Sequence, residues 1–368
     1  LCGFLMYIKN IQLRNFRNYE NAYIEFNPSI NLITGENAQG KTNLLESLVY
    51  LSLTRSHRIV DDKKLIRNDE MFAGIDCRFV DTDEKDIEVI IHPNGKTLMI
   101  HKRPLKKSSE FIGLLNVVLF SPDDLRFFND QPKERRRVMN QEITKVSTKY
   151  LLSLNQFQIF LKDRNALLKS EKIDFNYLDI LDEQMSKVEA YIIRERRKFI
   201  EEIQSVISKI YQELSGSQIK LEVTYKTFVE NIEKLEEKIL EIHKESRQKD
   251  IEYHITKVGI HLDDLIFKMD DQNLIYFASQ GQKRMAMLSF KLALLNYIKL
   301  MTKKQPILLL DDVLSELDYS RQKKLLQMVQ LDFQCIITTT EIPDFLKHAD
   351  MTEFRIEGGK IFPLTGGK

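Results

Sequence analysis

The spacing of hydrophobic residues changes twice along the chain. Up to about residue 121 they fall in short runs of β-forming residues divided by polar turns, which predicts strands. "YIKNIQL", "NAYIEF" and "INLITG" come first, and "GIDCRFV", "DIEVIIHP", "KTLMIH" and "NVVLFSP" follow. Asn94-Gly95 is a hairpin signal between two of them, and Pro122 closes the last. One helical pattern, "TNLLESLVYLSL", stands among these strands behind a glycine-rich loop. From about Pro132 to Ser215 apolar residues recur at i, i+3 and i+4 in a charged background, which predicts helices. These are read as too short for a long coiled coil with sustained heptads. Ser215-Gly216-Ser217 breaks the pattern, "IKLEVTY" reads as a strand and "ENIEKLEEKILEIHKES" as a helix. From Asp263 strands return as "LIFKMDD" and "LIYFAS", ahead of a long apolar helix in "ASQGQKRMAMLSFKLALLNYIKL". "ILLLDD" and "FQCIITTT" are nearly continuous apolar runs, as in strands buried on both faces, and "EFRIEGGKIFPL" reads as a closing hairpin.

This order implies an α/β fold whose core is split between the two ends of the chain, with a mainly helical lobe inserted. The expected boundaries are 6–125, 126–256 and 257–368. Met6 opens the first strand pattern, and Leu1 to Leu5 read as an upstream extension. No internal repeat or low-complexity linker is found.

Composition narrows the classes. The 368 residues are 43% hydrophobic and 30% charged with a net charge of +1, so nucleic-acid contact requires local basic patches rather than a global field. Three isolated cysteines, Cys2, Cys77 and Cys335, offer no metal pair and no disulfide framework, which points to a reducing cytosol. No apolar run reaches membrane-spanning length, and the start lacks the basic segment of a signal peptide.

The chemistry concentrates at two places. Gly35-Glu36-Asn37-Ala38-Gln39-Gly40-Lys41-Thr42 fits G-x-x-x-x-G-K-[ST] between a strand and a helix. The glycines let amide hydrogens turn inward onto phosphate oxygens, Lys41 reaches the β/γ-phosphates, and the Thr42 hydroxyl binds Mg²⁺. The following helix aims its positive end at the same phosphates. Ile307 to Asp312 is an apolar strand ending in two acids. It is expected to lie beside the phosphate-loop strand, with Asp311 holding the metal and Asp312 orienting or deprotonating the attacking water.

"GENAQGKT", "SQGQKR", "LLLDDVLSELD" and the opening "YIKNIQLRNFRNYE" together resemble the RecF family, bacterial recombination mediator ATPases with an ABC-type head related to SMC proteins. The resemblance runs from Met6 to the C-terminus, although the middle lobe shares mainly length and helicity. It implies binding of ATP with Mg²⁺, weak DNA-stimulated hydrolysis, and an ATP-dependent homodimer. In such a dimer the signature residues Ser279, Gly281 and Gln282 cap the nucleotide held by the other subunit. Ser315 to Asp318 matches the family's interface-crossing loop, Arg17 its arginine near the phosphates, and Thr340, standing where other ABC proteins carry a switch histidine, is the expected hydroxyl contact to the γ-phosphate. A metal-touching Gln is absent from "VVLFSPDD", leaving Ser121 to Asp124 as the corresponding segment. "GIHLDDL" departs from the family's GPHRDDL. The family further implies binding of double-stranded DNA and of junctions between single and double strands, partnership with RecR in the RecO pathway, and loading of RecA at gaps. The basic clusters are Lys102-Arg103 with Lys106-Lys107, Lys133 with Arg135 to Arg137, and Arg194 with Arg196 to Lys198. Without the resemblance each reads as a solvated face. The alternative is an SMC-like ATPase with another DNA-maintenance role; the chain has no room for the long coiled coil of those proteins. A transporter subunit would require membrane partners, and an OLD-type nuclease an acidic metal domain.

Overall fold

The computed structural model describes residues 6–129, 131–230, 233–329, 333–342 and 351–365. The expectation for Leu1 to Leu5 lies outside the described residues. In chain order the elements are β1 (Tyr7–Phe16), β2 (Tyr19–Glu25), β3 (Ile30–Thr34), α1 (Lys41–Leu53), β4 (Ala73–Val80), β5 (Glu84–His92), β6 (Gly95–Ile100), β7 (Arg103–Pro104) and β8 (Val117–Phe120). They continue as α2 (Arg126–Asn129), α3 (Pro132–Val146), α4 (Thr148–Leu167), α5 (Phe175–Ser215), β9 (Leu221–Lys226), α6 (Leu235–Tyr253), β10 (Asp264–Met269), β11 (Gln272–Asn273), α7 (Leu274–Phe277) and α8 (Gln280–Thr302). β12 (Ile307–Asp311), α9 (Tyr319–Val329), β13 (Cys335–Thr339), β14 (Met351–Glu357) and β15 (Lys360–Thr365) close the order. Two compact units are formed: one from residues up to 125, 209–218 and 284 onward, the other from 126–208 and 219–283. Residues 257–283, assigned to the third segment on sequence grounds, thus fall in the second unit.

The first unit holds two sheets. One has the order β2-β1-β4-β5-β6-β7 and is antiparallel throughout, with His92 opposite Gly95 at the hairpin that Asn94-Gly95 predicts. The other has the order β15-β14-β3-β13-β12-β8, and its strands are parallel except for the β14–β15 hairpin. β3, β12 and β13 are buried at every position, which is why their apolar runs do not alternate. One apolar cluster joins β1, β4 and β5 with Leu44, Leu45 and Leu48 of α1, Leu309 of β12 and Phe354 of β14. A side-chain amide ties the sheets together: Gln334 accepts from the Ile8 amide (2.8 Å) and donates to the Ile8 carbonyl (2.9 Å).

The second unit packs helices around the antiparallel sheet β11-β10-β9. Its interior carries charge. Arg164 is fully buried and pairs with Asp182 (2.7 Å) and Asp250 (2.8 Å). Arg196 pairs with Asp263 (2.6 Å) and donates to the Ile260 carbonyl (2.9 Å), and Arg135 pairs with Asp264 (2.7 Å). Ile260 also donates its amide to Glu189 (3.1 Å), so "GIHLDDL" is a structural hub of this unit.

Several sequence expectations change. The acid-ended strand β12 does not lie beside β3; β13 stands between them. "LIYFAS" is not a strand: Asn273 caps a short helix there by accepting from the Ile275 amide (3.0 Å). The helices are not all short, since α5 runs 41 residues without a glycine or proline to stop it. Two basic clusters are not solvated faces, because Arg135 and Arg196 are internal, Arg136 donates to the Asp263 carbonyl (2.6 Å) and Arg197 to that of Val229 (2.8 Å).

Candidate nucleotide-binding site

The phosphate loop leaves β3 at Thr34 and enters α1 at Lys41, so the amides of the first turn of α1 face the loop. Its glycines are required by close approach. A Cβ on Gly35 would lie 2.5 Å from the Ile356 carbonyl oxygen of β14, and one on Gly40 2.7 Å from the Asn18 side-chain nitrogen Nδ2, where φ 123° favours glycine in any case. Ala38 also has positive φ, at 64°. The Lys41 ammonium donates to the carbonyls of Gly35 and, at 3.0 Å, Glu36, and so lies inside the loop's curl. Burial pushes its pKa down, against the attraction of Asp312 and Asp311.

Asp311 reaches the loop although β13 intervenes, because α1 begins above the carboxyl ends of the strands. Thr42 Oγ1 stands 3.1 Å from Asp311 Oδ1. Thr338, at the end of β13, donates to the same oxygen (2.8 Å) and accepts from the Asp312 amide (3.1 Å). Burial raises the Asp311 pKa, against hydrogen bonds from Thr338 and Thr42. Asp312 has φ 53°, and its Oδ1 is buried without a hydrogen-bond partner. Mg²⁺ fits this arrangement. It favours an octahedron of oxygens with one or two protein ligands, waters and phosphate oxygens, in which adjacent oxygens stand roughly 3 Å apart. The Thr42 and Asp311 oxygens match that spacing. Among the described residues no cluster of three or more His, Cys, Asp or Glu forms a separate metal site.

The structure redistributes other expected residues. Arg17 is not directed at the loop: its guanidinium pairs with buried Glu46 (2.9 and 2.8 Å) and donates to the Lys64 carbonyl (3.1 Å). Burial opposes the Glu46 charge, but bonds from Arg17 and Ser56 outweigh it and lower the carboxyl pKa. Its neighbours Asn18 and Tyr19 hold the loop instead, donating to the carbonyls of Gln39 (2.8 Å) and Gly40 (2.9 Å). Sequence reading missed both, and also missed the β14–β15 turn, where the amides of Gly358 and Gly359 donate to the Gln39 side chain (2.6 Å) and carbonyl (3.2 Å). Thr340 is exposed, and Thr338 is the threonine that meets the carboxylates. Arg58, also missed, donates to Asn43 (3.1 Å) next to Thr42. In the segment after β8, Asp124 accepts from the Ser121 amide (2.7 Å) and pairs with Lys291 of α8 (2.8 Å).

The signature lies in the second unit and is capped by its own residues. Ser279 accepts from the Gln282 amide (3.3 Å), while the Gln282 side chain accepts from the Ser279 amide (2.8 Å), a reciprocal capping box. Ser279, Gln280 and Gly281 remain exposed, and nothing lies within 4 Å of a Cβ placed on Gly281. Asp318 caps α9 through the Arg321 amide (3.0 Å), and Arg284 pairs with Glu316 (3.0 Å). Of the basic clusters, Lys102 is engaged by Asp76 and Glu88, whereas Arg103, Lys106, Lys107, Lys133, Arg194 and Lys198 are exposed.

A phosphate loop between β3 and α1, met by an aspartate from a parallel strand two places away, defines a P-loop ATPase head of the split SMC-like type. Residues 7–357 match the model of the RecF/RecN/SMC N-terminal domain. The chain is 40% identical over 362 residues to the DNA replication and repair protein RecF of Clostridium acetobutylicum, covering 97% of this chain and 99% of that protein. It is 39% identical over 348 residues to that of Lactobacillus johnsonii, covering 92% and 93%. The chain belongs to the RecF family of DNA replication and repair proteins. A solved structure of the recombination mediator protein RecF with ATP, in the RecFOR pathway, superposes with a TM-score of 0.91 at 34% identity and covers 99% of both chains. An Smc head domain from Pyrococcus furiosus matches at TM-score 0.58 and 19% identity, a likeness of fold alone. No described helix is long and apolar enough to cross a membrane.

Proposed function

We propose that this chain is an ATP-driven DNA clamp of recombinational repair. ATP binds between Gly35 and Thr42, with Mg²⁺ held by Thr42 and Asp311; the ion supplies charge neutralisation at the phosphates. Lys41 stabilises charge on the β/γ-phosphates, and Asp312, its Oδ1 unpaired, orients or deprotonates the attacking water. The observation that carries this reading is the Thr42–Asp311 contact, which brings together residues 269 positions apart at 3.1 Å.

Ser279, Gly281 and Gln282 complete the site of a second copy. The exposure of Ser279 and Gly281, and the position of all three at the N-terminus of α8, suit a phosphate, while the chain's own phosphate loop already accounts for one nucleotide. ATP binding then favours the paired state, hydrolysis is slow in the single chain, and product formation releases the pair. Family membership supports double-stranded DNA and its junctions with single strands as the bound polymer, with RecR as partner and RecA loading at gaps as the outcome. The test is the mass of the protein with and without ATP, for wild type and for Ser279→Arg. Wild type pairs with ATP and the variant stays single while still binding nucleotide. Equal pairing by both refutes the shared-site assignment.

A further inference from the structure

Of the three threonines at the end of β13, one is buried against the two acids. Thr338 is fully buried, whereas Thr339 donates its hydroxyl to the Glu341 carbonyl (2.8 Å) and Thr340 is exposed. Parallel pairing sets Thr338 opposite Asp311 of β12 on one side and Ile33 of β3 on the other, so its backbone is held from both. A hydroxyl has one proton and two lone pairs. The proton goes to Asp311 Oδ1 (2.8 Å), because the other acceptor in reach, the Leu310 carbonyl, is farther (3.4 Å) and uncharged. A lone pair accepts the Asp312 amide (3.1 Å). One side chain thus grips both acids.

Each bond constrains a group that the chemistry of the site uses. Asp311 Oδ1 is shared between Thr338 and Thr42 Oγ1 (3.1 Å), so the Thr338 bond fixes the rotation of the carboxylate that faces Thr42. Asp312 follows at φ 53°, a conformation that L residues adopt at a cost, and its amide is held by the hydroxyl and the carbonyl of Thr338 (both 3.1 Å). That backbone carries the carboxyl whose Oδ1 is buried without a partner. Packing alone does not call for threonine here. Valine has the same shape, suits a strand as well, and buries no hydroxyl.

We propose that Thr338 is a positioning residue for this site: its hydroxyl orients the Asp311 carboxylate towards the metal and holds the Asp312 backbone in place for the water, so that the two acids are set as one unit. The proposal rests on the reading of Thr42 and Asp311 as the metal-holding residues and adds the group that aligns them. Partners of this kind, one step behind the ligands, fix ligand orientation and tune metal affinity.

The experiment is Mn²⁺ binding, followed by paramagnetic resonance with a non-hydrolysable ATP analogue present, for wild type, Thr338→Val, Thr338→Ala, Thr338→Ser and Asp311→Asn. Phosphate release from ATP is measured alongside at saturating metal, and thermal unfolding without metal or nucleotide checks that each variant folds. The valine and alanine variants are expected to bind Mn²⁺ about ten- to a hundredfold more weakly and to turn over about tenfold or more slowly, while Thr338→Ser stays within about threefold of wild type in both. Wild-type affinity in the valine and alanine variants, with Asp311→Asn weakened, overturns the role of Thr338 and leaves the metal residues standing. Wild-type affinity in Asp311→Asn as well overturns both. A loss in Thr338→Ser equal to that in Thr338→Val assigns the effect to packing, and failure of both the valine and alanine variants to fold assigns it to folding; either overturns the proposal. Weakened metal binding with wild-type turnover at saturating metal overturns the hold on Asp312.

Discussion

Asp312 occupies a left-handed backbone position, φ 53°, which a short polar side chain tolerates better than most. Its unpaired Oδ1 is what a water-orienting carboxylate requires. Asp312→Asn is therefore expected to lower ATP turnover by roughly a hundredfold or more while ATP binding is kept, checked by phosphate release and equilibrium binding. His57 makes a different point. Burial pushes its pKa down to about 4 from an ordinary 6.5, against attraction from Glu46 and Asp124. Between those values the unfolded chain binds the proton and the folded chain does not, so stability falls as pH falls from 6.5 to 4. Thermal unfolding across that window should show a shallower loss for His57→Gln; parallel curves would rule out the titration. Residue identity alone was a poor guide where direction mattered. Arg17 looked like the phosphate arginine, yet Glu46 takes its guanidinium and leaves Asn18 and Tyr19 to grip the loop.

Among the elements, the β14–β15 hairpin has the least obvious role in sequence. Its turn donates two amides to Gln39, and a Cβ on Gly359 would stand 2.5 Å from the Asn18 carbonyl oxygen. The turn is thus the outer wall of the phosphate loop. Gly359→Ala should weaken ATP binding by about tenfold or more with a modest fall in unfolding temperature, since φ 76° disfavours the substitution as well. Calorimetric titration with ATP checks this, and unchanged affinity would remove the hairpin from the site. In the second unit, Arg164 on α4 neutralises Asp182 and Asp250 in a site without solvent. Arg164→Ala leaves buried Asp250 without a cation and Asp182 with Arg247 alone (2.6 Å), and is expected to cost about 3–5 kcal/mol, read from urea unfolding. Charge runs such as "KERRRV" and "RERRKF" looked like surface because their partners, Asp263 and Asp264, lie far along the chain.

Taken whole, the molecule has almost no net charge, so the proposed DNA binding would depend on exposed cations such as Arg103, Lys106, Lys107, Arg194 and Lys198. Contacts of this kind release counterions. Duplex affinity should fall steeply between about 50 and 200 mM salt and vary little with base sequence; a flat response excludes phosphate-led binding. The local chemistry was legible in sequence wherever neighbours along the chain are also neighbours in space. Gly35 to Thr42 curl because of their own backbone needs, Ser279 and Gln282 cap one helix turn, and the apolar runs of β12 and β13 declare strands buried on both faces. Tertiary structure decided what depends on distant partners: β13 between β3 and β12, Asp311 against Thr42, Thr338 rather than Thr340 at the carboxylates, and arginines turned inward to acids. The physical reason is range. Backbone curl and capping are settled within a few residues, whereas strand order and the pairing of buried charge are settled by packing, which a one-dimensional pattern does not contain.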